Sequence, residues 1–266
     1  MTSIVVSSGK GGVGKTSLAV NLGIVLAQAG KKTVVVDADI AMASVGIMLG
    51  IERAPISLHN VLMGEVEVKD AVYEGPKGLK YVPSSLSLER LKKVEYEKLR
   101  TAIAELETEN DFVIIDSPPG LSQDALAAIR SAKEMIMVVT PEPASLADAL
   151  KIKSVAERNN VKIIGLVMNF VTHDKSEIKR QDLETLLGLR VIAEIPEDLE
   201  ARRSAALQQP VVLRAPESDF AHGVLDVAGA LHGVELKVEA KPKKKSVFSG
   251  IAAALASLFK KKKSSA

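Results

Sequence analysis

The sequence predicts an α/β fold: a mostly parallel, twisted sheet with helices on both faces, followed by a separate amphipathic helix at the C-terminal end. The first observation is that short runs rich in Val and Ile alternate with longer helical patterns, which is typical of a parallel sheet. The second is that these runs are continuously apolar, as expected of strands covered on both faces. The predicted strands are residues 4–8, 33–37, 80–83, 112–116, 135–140, 162–168 and 191–195.

Helical patterns fill the intervals between several of these runs. Gly30 and Gly188 follow two of the patterns, at positions where glycine commonly ends a helix. Residues 50–80 are interrupted by so many glycines and prolines that we predict no more than one or two short helices there. The predicted helices are residues 16–28, 88–107, 122–131, 145–158 and 176–187.

Composition divides the chain into three parts. With 266 residues, 47% of them hydrophobic, it has enough apolar material for a large α/β domain, which we place at residues 1–234. Residues 235–245 are polar, rich in lysine and contain Pro242, which indicates a flexible basic linker. Residues 246–266 are predicted to form an amphipathic helix with a lysine-rich end. The last 26 residues hold eight lysines and no acidic residue, so the first 240 carry a net charge of −6.

Two absences narrow the possible functions. The chain has no cysteine, which excludes disulfides, thiolate zinc sites and cysteine-ligated iron–sulfur clusters within it. It also has no secretory signal pattern at its start, and no apolar run of the roughly 20 residues that span a bilayer. We therefore expect a cytoplasmic protein.

Residues 9–16, GKGGVGKT, match the phosphate-loop pattern G-x-x-x-x-G-K-[ST] and lie between a predicted strand and a predicted helix. Glycines let successive backbone N–H groups face the phosphates, and the start of the helix adds its positive end. Lys15 is expected to reach the β- and γ-phosphates, and the Thr16 hydroxyl to ligate Mg²⁺. An accidental glycine-rich turn is the alternative, and the flanking strand and helix argue against it. The predicted nucleotide-binding residues of the loop are Gly9, Lys10, Gly11, Gly12, Val13, Gly14, Lys15, Thr16 and Ser17.

Aspartates end two of the predicted strands, at the sheet edge where ligands of open α/β sheets bind. Asp37 and Asp39 lie at the end of the second strand, and alternation along a strand would turn both side chains the same way. Asp116 ends another strand and precedes a rigid turn over residues 117–120, a position from which a carboxylate can hold Mg²⁺ through water. A solvated strand end or a helix cap is the alternative for a single aspartate.

The loop has a lysine at position 10 as well as at position 15, and in this it resembles the deviant Walker A loop of the MinD/ParA family of ATPases. The resemblance implies a P-loop NTPase fold of the SIMIBI type that binds ATP and Mg²⁺ and hydrolyses ATP as a homodimer. It also implies that Lys10 crosses the dimer interface to the partner's nucleotide, where it would act as an arginine finger does elsewhere. From the sequence alone, Lys10 could also be a solvated surface charge.

The same resemblance assigns roles to other residues. Residues 37–39 look like the family's switch I, in which Asp39 would position the attacking water and Asp37 would lie near the magnesium. Residues 116–120, DSPPG, look like its switch II motif D-x-P-x-G. Asn169, which could equally be a turn-former, and the loop after the last strand would contact adenine. The implied site residues are Lys10, Lys15 and Asp39 for catalysis, Thr16, Asp39 and Asp116 for the metal, and Asn169, Pro196, Glu197 and Asp198 for the nucleotide.

An apolar stripe marks the C-terminal helix. On a helical wheel, five large apolar side chains fall within about 120°, with serine, alanine and glycine opposite them. As a helix, residues 246–259 would be roughly 21 Å long, too short to span a bilayer, and lysines bracket them on both sides. This pattern is typical of a helix that lies in the membrane interface on anionic headgroups. A helix docked on the body and a tail that binds nucleic acid are the alternatives. The stripe consists of Phe248, Ile251, Leu255, Leu258 and Phe259.

These features predict an ATPase that dimerises with ATP, attaches reversibly to the inner face of the cell membrane and positions other proteins, as in cell-division site selection. The alternatives are a ParA-like partition ATPase acting on DNA, a flagellar-number regulator of the same family, and a metabolic enzyme built on the same loop. The acidic body argues against nucleic acid as a partner. Residues 40–46 are nearly apolar where the family usually carries charged and amide residues, so the regulatory or cargo proteins are not identified. Asp148 matches a family position linked to partner signalling, although it could equally be a surface charge.

Overall fold

A single mixed sheet organises the computed structural model, which describes residues 1–51, 54–85, 94–231 and 234. Its strands within these residues are β1 (Thr2–Ser7), β2 (Thr33–Asp37), β3 (Tyr73–Glu74), β4 (Lys80–Val82), β5 (Phe112–Asp116), β6 (Glu134–Val139), β7 (Lys162–Val171) and β8 (Val191–Pro196). They lie in the order β3-β4-β2-β5-β1-β6-β7-β8. All neighbouring strands are parallel except β3 and β4. The predicted α/β fold class is confirmed for the described residues, and each predicted strand is present.

Helices cover both faces of this sheet. The helices of the described residues are α1 (Lys15–Gln28), α2 (Val45–Met48), α3 (Leu58–Leu62), α4 (Lys98–Glu109), α5 (Gln123–Ser131), α6 (Pro143–Arg158), α7 (Arg180–Leu187), α8 (Leu199–Ala206), α9 (Val211–Arg214) and α10 (Asp219–Gly229). One layer contains α1, α2, α8, α9 and α10. The opposite layer contains α3, α4, α5, α6 and α7. The sheet is therefore enclosed between two apolar layers.

The double covering explains why the strands are apolar at every position. In β1, Ile4 and Val6 pack into the layer that contains α1, and Val5 packs into the opposite layer. All three side chains are fully buried, and burial of each contributes about 1.5–3 kcal/mol. Gly23 brings α1 close to the sheet, because a Cβ there would lie 2.6 Å from the Val35 side chain. This contact fixes the helix that begins at the phosphate loop.

The fourth helix starts later than the sequence predicts. Residues 86–93 lie outside those described, residues 94–97 are not helical, and α4 begins at Lys98 rather than at residue 88. The backbone N–H of Glu95 donates to the carbonyl of Leu62 at 3.2 Å. This tertiary hydrogen bond holds the segment against α3 before the helix starts.

Two further details differ from the sequence-based expectation. α7 begins at Arg180 rather than at residue 176, because the Glu177 carboxylate accepts hydrogen bonds from the N–H groups of Thr172 and His173, each at 2.9 Å, and forms a turn. The segment 50–80 contains the short helix α3, as expected, and also β3, the antiparallel edge strand that no sequence pattern indicated.

The predicted linker 235–245 and the predicted helix 246–266 lie outside the described residues. The membrane stripe formed by Phe248, Ile251, Leu255, Leu258 and Phe259 therefore stays a prediction, as do the domain boundaries. Among the residues that are described, each helix is too short or too polar to cross a membrane.

Candidate nucleotide-binding site

The phosphate loop joins the carboxyl end of β1 to the first residue of α1, Lys15. Because β1 lies between β5 and β6, the loop is placed at the centre of the sheet edge. Gly12 and Gly14 have φ values of 75° and 96°, a left-handed region that costs little for glycine and strains other residues. There is also no room for a side chain at Gly14, because a Cβ there would lie 2.5 Å from Nδ2 of Asn169. The glycine pattern thus reflects both backbone conformation and close packing.

Lys15 lies inside the loop, with 7% of its surface exposed. Its Nζ donates to Ser8 Oγ at 3.0 Å, and Ser8 Oγ donates in turn to the carbonyl of Lys10 at 2.7 Å. Burial lowers the pKa of Lys15, while the nearby carboxylates of Asp116 and Asp39 oppose this effect. Within the described part of the chain, the Ser8 hydroxyl is the one hydrogen-bond partner of the Lys15 ammonium. Such a buried ammonium can bind an anion such as a phosphate oxygen.

Thr16 is hydrogen-bonded to the aspartate at the end of β5. Its Oγ1 donates to Asp116 Oδ2 at 2.6 Å and lies 3.1 Å from Ser44 Oγ. Asp116 Oδ1 is buried and has no hydrogen-bond partner among the described residues. A hydroxyl and a carboxylate with a free oxygen are the hard ligands that Mg²⁺ prefers, so Thr16 and Asp116 fit the predicted metal site.

A second buried carboxylate lies beside Asp116. Asp37 is its register partner on β2, and its Oδ2 accepts hydrogen bonds from the N–H groups of Ser44 and Val45 at 2.9 and 3.0 Å. Burial raises the pKa of Asp37 to about 8 and that of Asp116 to about 7. The Asp116 charge raises the pKa of Asp37 further. Two carboxyl groups in one dry site are costly when both are ionised, and a bound cation would offset that cost.

Asp39 is placed differently from Asp37, although the sequence suggested that both face the same way. The strand ends at Asp37, and Asp39 lies in the following loop, half-buried, with Oδ1 accepting from the N–H of Met42 at 2.9 Å. It is close enough to Lys15 for the two charges to influence each other. Asp37, rather than Asp39, accepts a hydrogen bond from the N–H of Ser44, and Ser44 Oγ in turn contacts Thr16. The roles of Asp39 in catalysis and metal binding stay predictions.

The turn after β5 is bonded directly to the phosphate loop. Gly120, at φ 77°, donates its N–H to the Ser8 carbonyl at 2.9 Å. Ser117 Oγ donates to the Val6 carbonyl at 3.0 Å, and Ala38 N–H donates to the Asp116 carbonyl at 2.9 Å. The three segments that resemble the family's loop and switches therefore form one hydrogen-bonded unit.

Lys10 and Gly9 face the start of α6. Lys10 Nζ lies 3.3 Å from Glu142 Oε2, in an ion pair that is partly exposed to solvent. A Cβ on Gly9 would lie 2.2 Å from Cβ of Asp148, so the loop backbone is in contact with α6. In this structure Lys10 is thus paired within its own chain. The predicted contact with a partner's nucleotide needs a second copy of the chain.

The residues expected to contact adenine fall into two groups. Asn169 is buried, its Nδ2 donates to the Val13 carbonyl at 2.8 Å, and its Oδ1 has no hydrogen-bond partner among the described residues. A bulge in β7 places it there, with Phe170 at φ 60°. Asp198 instead caps α8 through the N–H of Glu200 at 2.7 Å and accepts from the N–H of Phe220 at 2.9 Å.

Glu197 forms an exposed ion pair with Arg202, and Pro196 is the last residue of β8. Asn169 is thus joined to the phosphate loop, whereas the carboxylates of Glu197 and Asp198 are already engaged with neighbouring groups. Nucleotide contacts by Pro196, Glu197 and Asp198 stay predictions.

Three residues that contact the site or its loop were missed by sequence reasoning. Ser8 Oγ bridges the Lys15 ammonium and the Lys10 carbonyl, Ser44 contacts Thr16, and Glu142 pairs with Lys10. The position of Ser8 directly before the loop was a usable signal. Ser44 lies in a nearly apolar stretch and Glu142 is distant in sequence, so only the folded chain shows their positions.

These contacts define a class, the P-loop nucleotide-binding proteins. The family model ParA, described as NUBPL iron-transfer P-loop NTPase, matches residues 1–232. The chain belongs to this MinD/ParA family of P-loop NTPases. It has no cysteine, so it has no thiolates with which to hold an iron–sulfur cluster.

Relatives and solved structures agree with this assignment. An uncharacterised ATP-binding protein of Methanocaldococcus jannaschii is 40% identical over 247 residues, which cover 93% of this chain and 94% of that protein. The septum site-determining protein MinD of Pyrococcus horikoshii, solved in complex with Mg-ADP, is 31% identical with a TM-score of 0.85, and the match covers 89% and 99% of the two chains. A MinC:MinD cell division protein complex of Aquifex aeolicus contains a chain that is 26% identical, with a TM-score of 0.78 and coverage of 90% and 99%.

The raised pKa of Asp37 leads to a prediction about stability. Because the folded chain binds a proton at Asp37 more tightly than the unfolded chain does, this stabilising contribution is full at low pH. It is lost as the pH rises towards about 8. Without nucleotide or Mg²⁺, Asp37→Asn should therefore raise the melting temperature relative to wild type at pH 8.5, and by clearly less at pH 6. Scanning calorimetry at both pH values measures this difference. The exposed Asp226→Asn serves as control, and an equal effect of Asp37→Asn at the two pH values would contradict the prediction.

Proposed function

We propose that the protein is an ATPase that pairs with a second copy when it binds Mg-ATP and attaches reversibly to an anionic membrane surface, where it positions other proteins. The observation that carries the proposal is the loop with two lysines. Lys15 is buried in the site, and Lys10 lies at the outer side of the loop, where another molecule could reach it. The protein would be cytoplasmic and peripheral at the inner face of the cell membrane. Its positioning role would be division-site selection or a related spatial task.

The nucleotide would be held by groups at the carboxyl ends of the central strands. Lys15 and the loop N–H groups would bind the phosphates, and Thr16 and Asp116 would hold Mg²⁺, which neutralises charge on the phosphate oxygens. Since Asn169 Nδ2 is bonded to the Val13 carbonyl, its Oδ1 is the atom free to accept a hydrogen bond. The amino group of adenine could supply that bond, whereas guanine has a carbonyl at the same position. This arrangement favours ATP.

Hydrolysis would need both Asp39 and a partner. Asp39 lies in the loop between β2 and α2, near Lys15, where its carboxylate could orient an attacking water molecule. Lys10 from the partner would add a positive charge beside the phosphates as the bond breaks. A single copy would then hydrolyse ATP slowly, and pairing would accelerate the reaction.

Membrane attachment would follow from pairing. One short apolar stripe with lysines at both ends binds an anionic surface weakly. Two stripes in a dimer bind far better, because the second binds at a high effective concentration once the first is in place. ATP binding would in this way control attachment, and hydrolysis would release the protein.

The charge of the body argues against the main rival, a partition ATPase that binds DNA. Residues 1–240 carry a net charge of −6. The arginines of the α8–α9 region are paired with carboxylates: Arg202 with Glu197, and both Arg203 and Arg214 with Glu200. Together with this net charge, the carboxylates beside these arginines lower the positive potential that a DNA phosphate would meet, which disfavours DNA binding by this face.

Deleting residues 246–266 tests the membrane proposal. The truncated protein should keep its ATPase activity and lose ATP-dependent sedimentation with vesicles of anionic phospholipid. The full-length protein should sediment with ATP and much less with ADP. Lys15→Ala serves as a control that should bind neither nucleotide nor vesicles. Sedimentation of the truncated protein with ATP would place the attachment site elsewhere.

Replacing Asp39 tests the catalytic proposal. Asp39→Ala should bind ATP and pair normally, while its rate of hydrolysis should fall about 100-fold because the attacking water is no longer oriented. On vesicles it should stay bound with ATP for much longer than wild type. Phosphate release and vesicle dissociation measure the two effects, with the exposed Asp226→Ala as control. Hydrolysis at the wild-type rate would exclude Asp39 from this role.

A further inference from the structure

The partner of Lys10 in this structure is Glu142. The Lys10 side chain is 33% exposed, and the ion pair with Glu142 at 3.3 Å is the only one that it makes with a described residue. The backbone at Lys10 is held separately, because Ser8 Oγ donates to its carbonyl. A change of partner at Lys10 therefore requires only rotation of the side chain.

The backbone at Glu142 is held by hydrogen bonds and by the proline that follows it. It is the residue before the first turn of α6, and its N–H donates to the Thr140 carbonyl at 2.8 Å while its own carbonyl accepts from Ser145. Pro143 follows it and restricts the backbone. The same helix contacts the loop at Gly9, so packing holds the backbone of Glu142 near that of Lys10.

We propose that Glu142 is a positioning residue that retains Lys10 within its own chain and so sets the protein concentration at which two nucleotide-bound copies pair. This inference rests on the proposed function, in which Lys10 reaches the partner's nucleotide. Each copy must release Lys10 from Glu142 before it can contact the partner. A copy whose Lys10 is still paired with Glu142 cannot form the dimer, and a copy whose Lys10 is released is called competent.

The size of the effect follows from the type of ion pair. In a solvent-exposed ion pair, the paired state is favoured over the unpaired state by about 1.5- to 5-fold. The fraction of competent copies reduces the apparent affinity in proportion, and a dimer requires two competent copies. A paired state favoured about 1.5- to 5-fold leaves about 40% to 17% of the copies competent. Loss of both retaining contacts should then tighten pairing about 6- to 36-fold, since the two factors multiply.

Glu142→Gln tests the inference, because glutamine keeps the size of the side chain and removes its charge. The dimer dissociation constant is measured by sedimentation velocity with a non-hydrolysable ATP analogue, and the ATPase rate is measured across protein concentrations. We expect the dissociation constant and the half-maximal protein concentration to fall by the same factor, about 6- to 36-fold. The rate at saturating protein should not change.

Glu157→Gln is the matched control. Glu157 lies on the same helix, is exposed to a similar degree (60% against 63%) and pairs with a lysine, Lys153 at 3.5 Å. It lies at the far end of α6 from the loop, so its replacement should leave pairing unchanged. Lys10→Ala provides the second control, because Glu142→Gln should have no effect on pairing when Lys10 is absent.

The outcomes separate the two proposals. If the wild-type protein stays monomeric with the ATP analogue, the proposed function fails, and this inference fails with it. If the wild type pairs but Glu142→Gln pairs equally or more weakly, the proposed function stands and the retaining role of Glu142 is wrong. A lower rate for Glu142→Gln at saturating protein would also overturn the inference, since it would show that Glu142 acts in the dimer rather than before it forms.

Discussion

The structure depends on the burial of one cation and two carboxylates at the carboxyl ends of β1, β2 and β5. Lys15, Asp37 and Asp116 each expose less than a tenth of their surface, which is costly for charged groups outside water. The fold accepts this cost because hydrogen bonds partly replace the lost hydration: Lys15 donates to Ser8, Thr16 donates to Asp116, and the N–H groups of Ser44 and Val45 donate to Asp37. These hydrogen bonds do not supply a second positive charge beside the two carboxylates. This charge distribution fits the proposed binding of Mg²⁺ and phosphate together.

The same constraint connects elements that are far apart in sequence. Ser8 is bonded to the turn after β5, Ser44 to Thr16, and Asp37 to the start of α2. A change at the phosphates would therefore reach both switch-like segments through one or two hydrogen bonds. Such short connections allow a small local change to be transmitted without rearrangement of the sheet.

Much of this arrangement is encoded locally. The strands were predictable because burial on both faces demands Val and Ile at successive positions, and the loop because its glycines and lysines have a fixed spacing. The start of α4 was not predictable, because it depends on a hydrogen bond between Glu95 and Leu62. The contacts of Ser44, Glu142 and Asn169 are of the same kind: they come from a loop, a helix cap and a β-bulge that only the packed chain brings to the site.

The close contact between Gly9 and Asp148 affects how experiments on α6 are interpreted. Since there is no room for a methyl group between these two residues, α6 packs directly against the phosphate loop. A substitution at position 148 that abolishes an interaction with another protein need not mark a docking epitope. The same phenotype would arise if the substitution displaced the loop and weakened nucleotide affinity. Genetic screens for effector-binding surfaces on this face need a nucleotide-affinity measurement for every variant before an epitope is assigned.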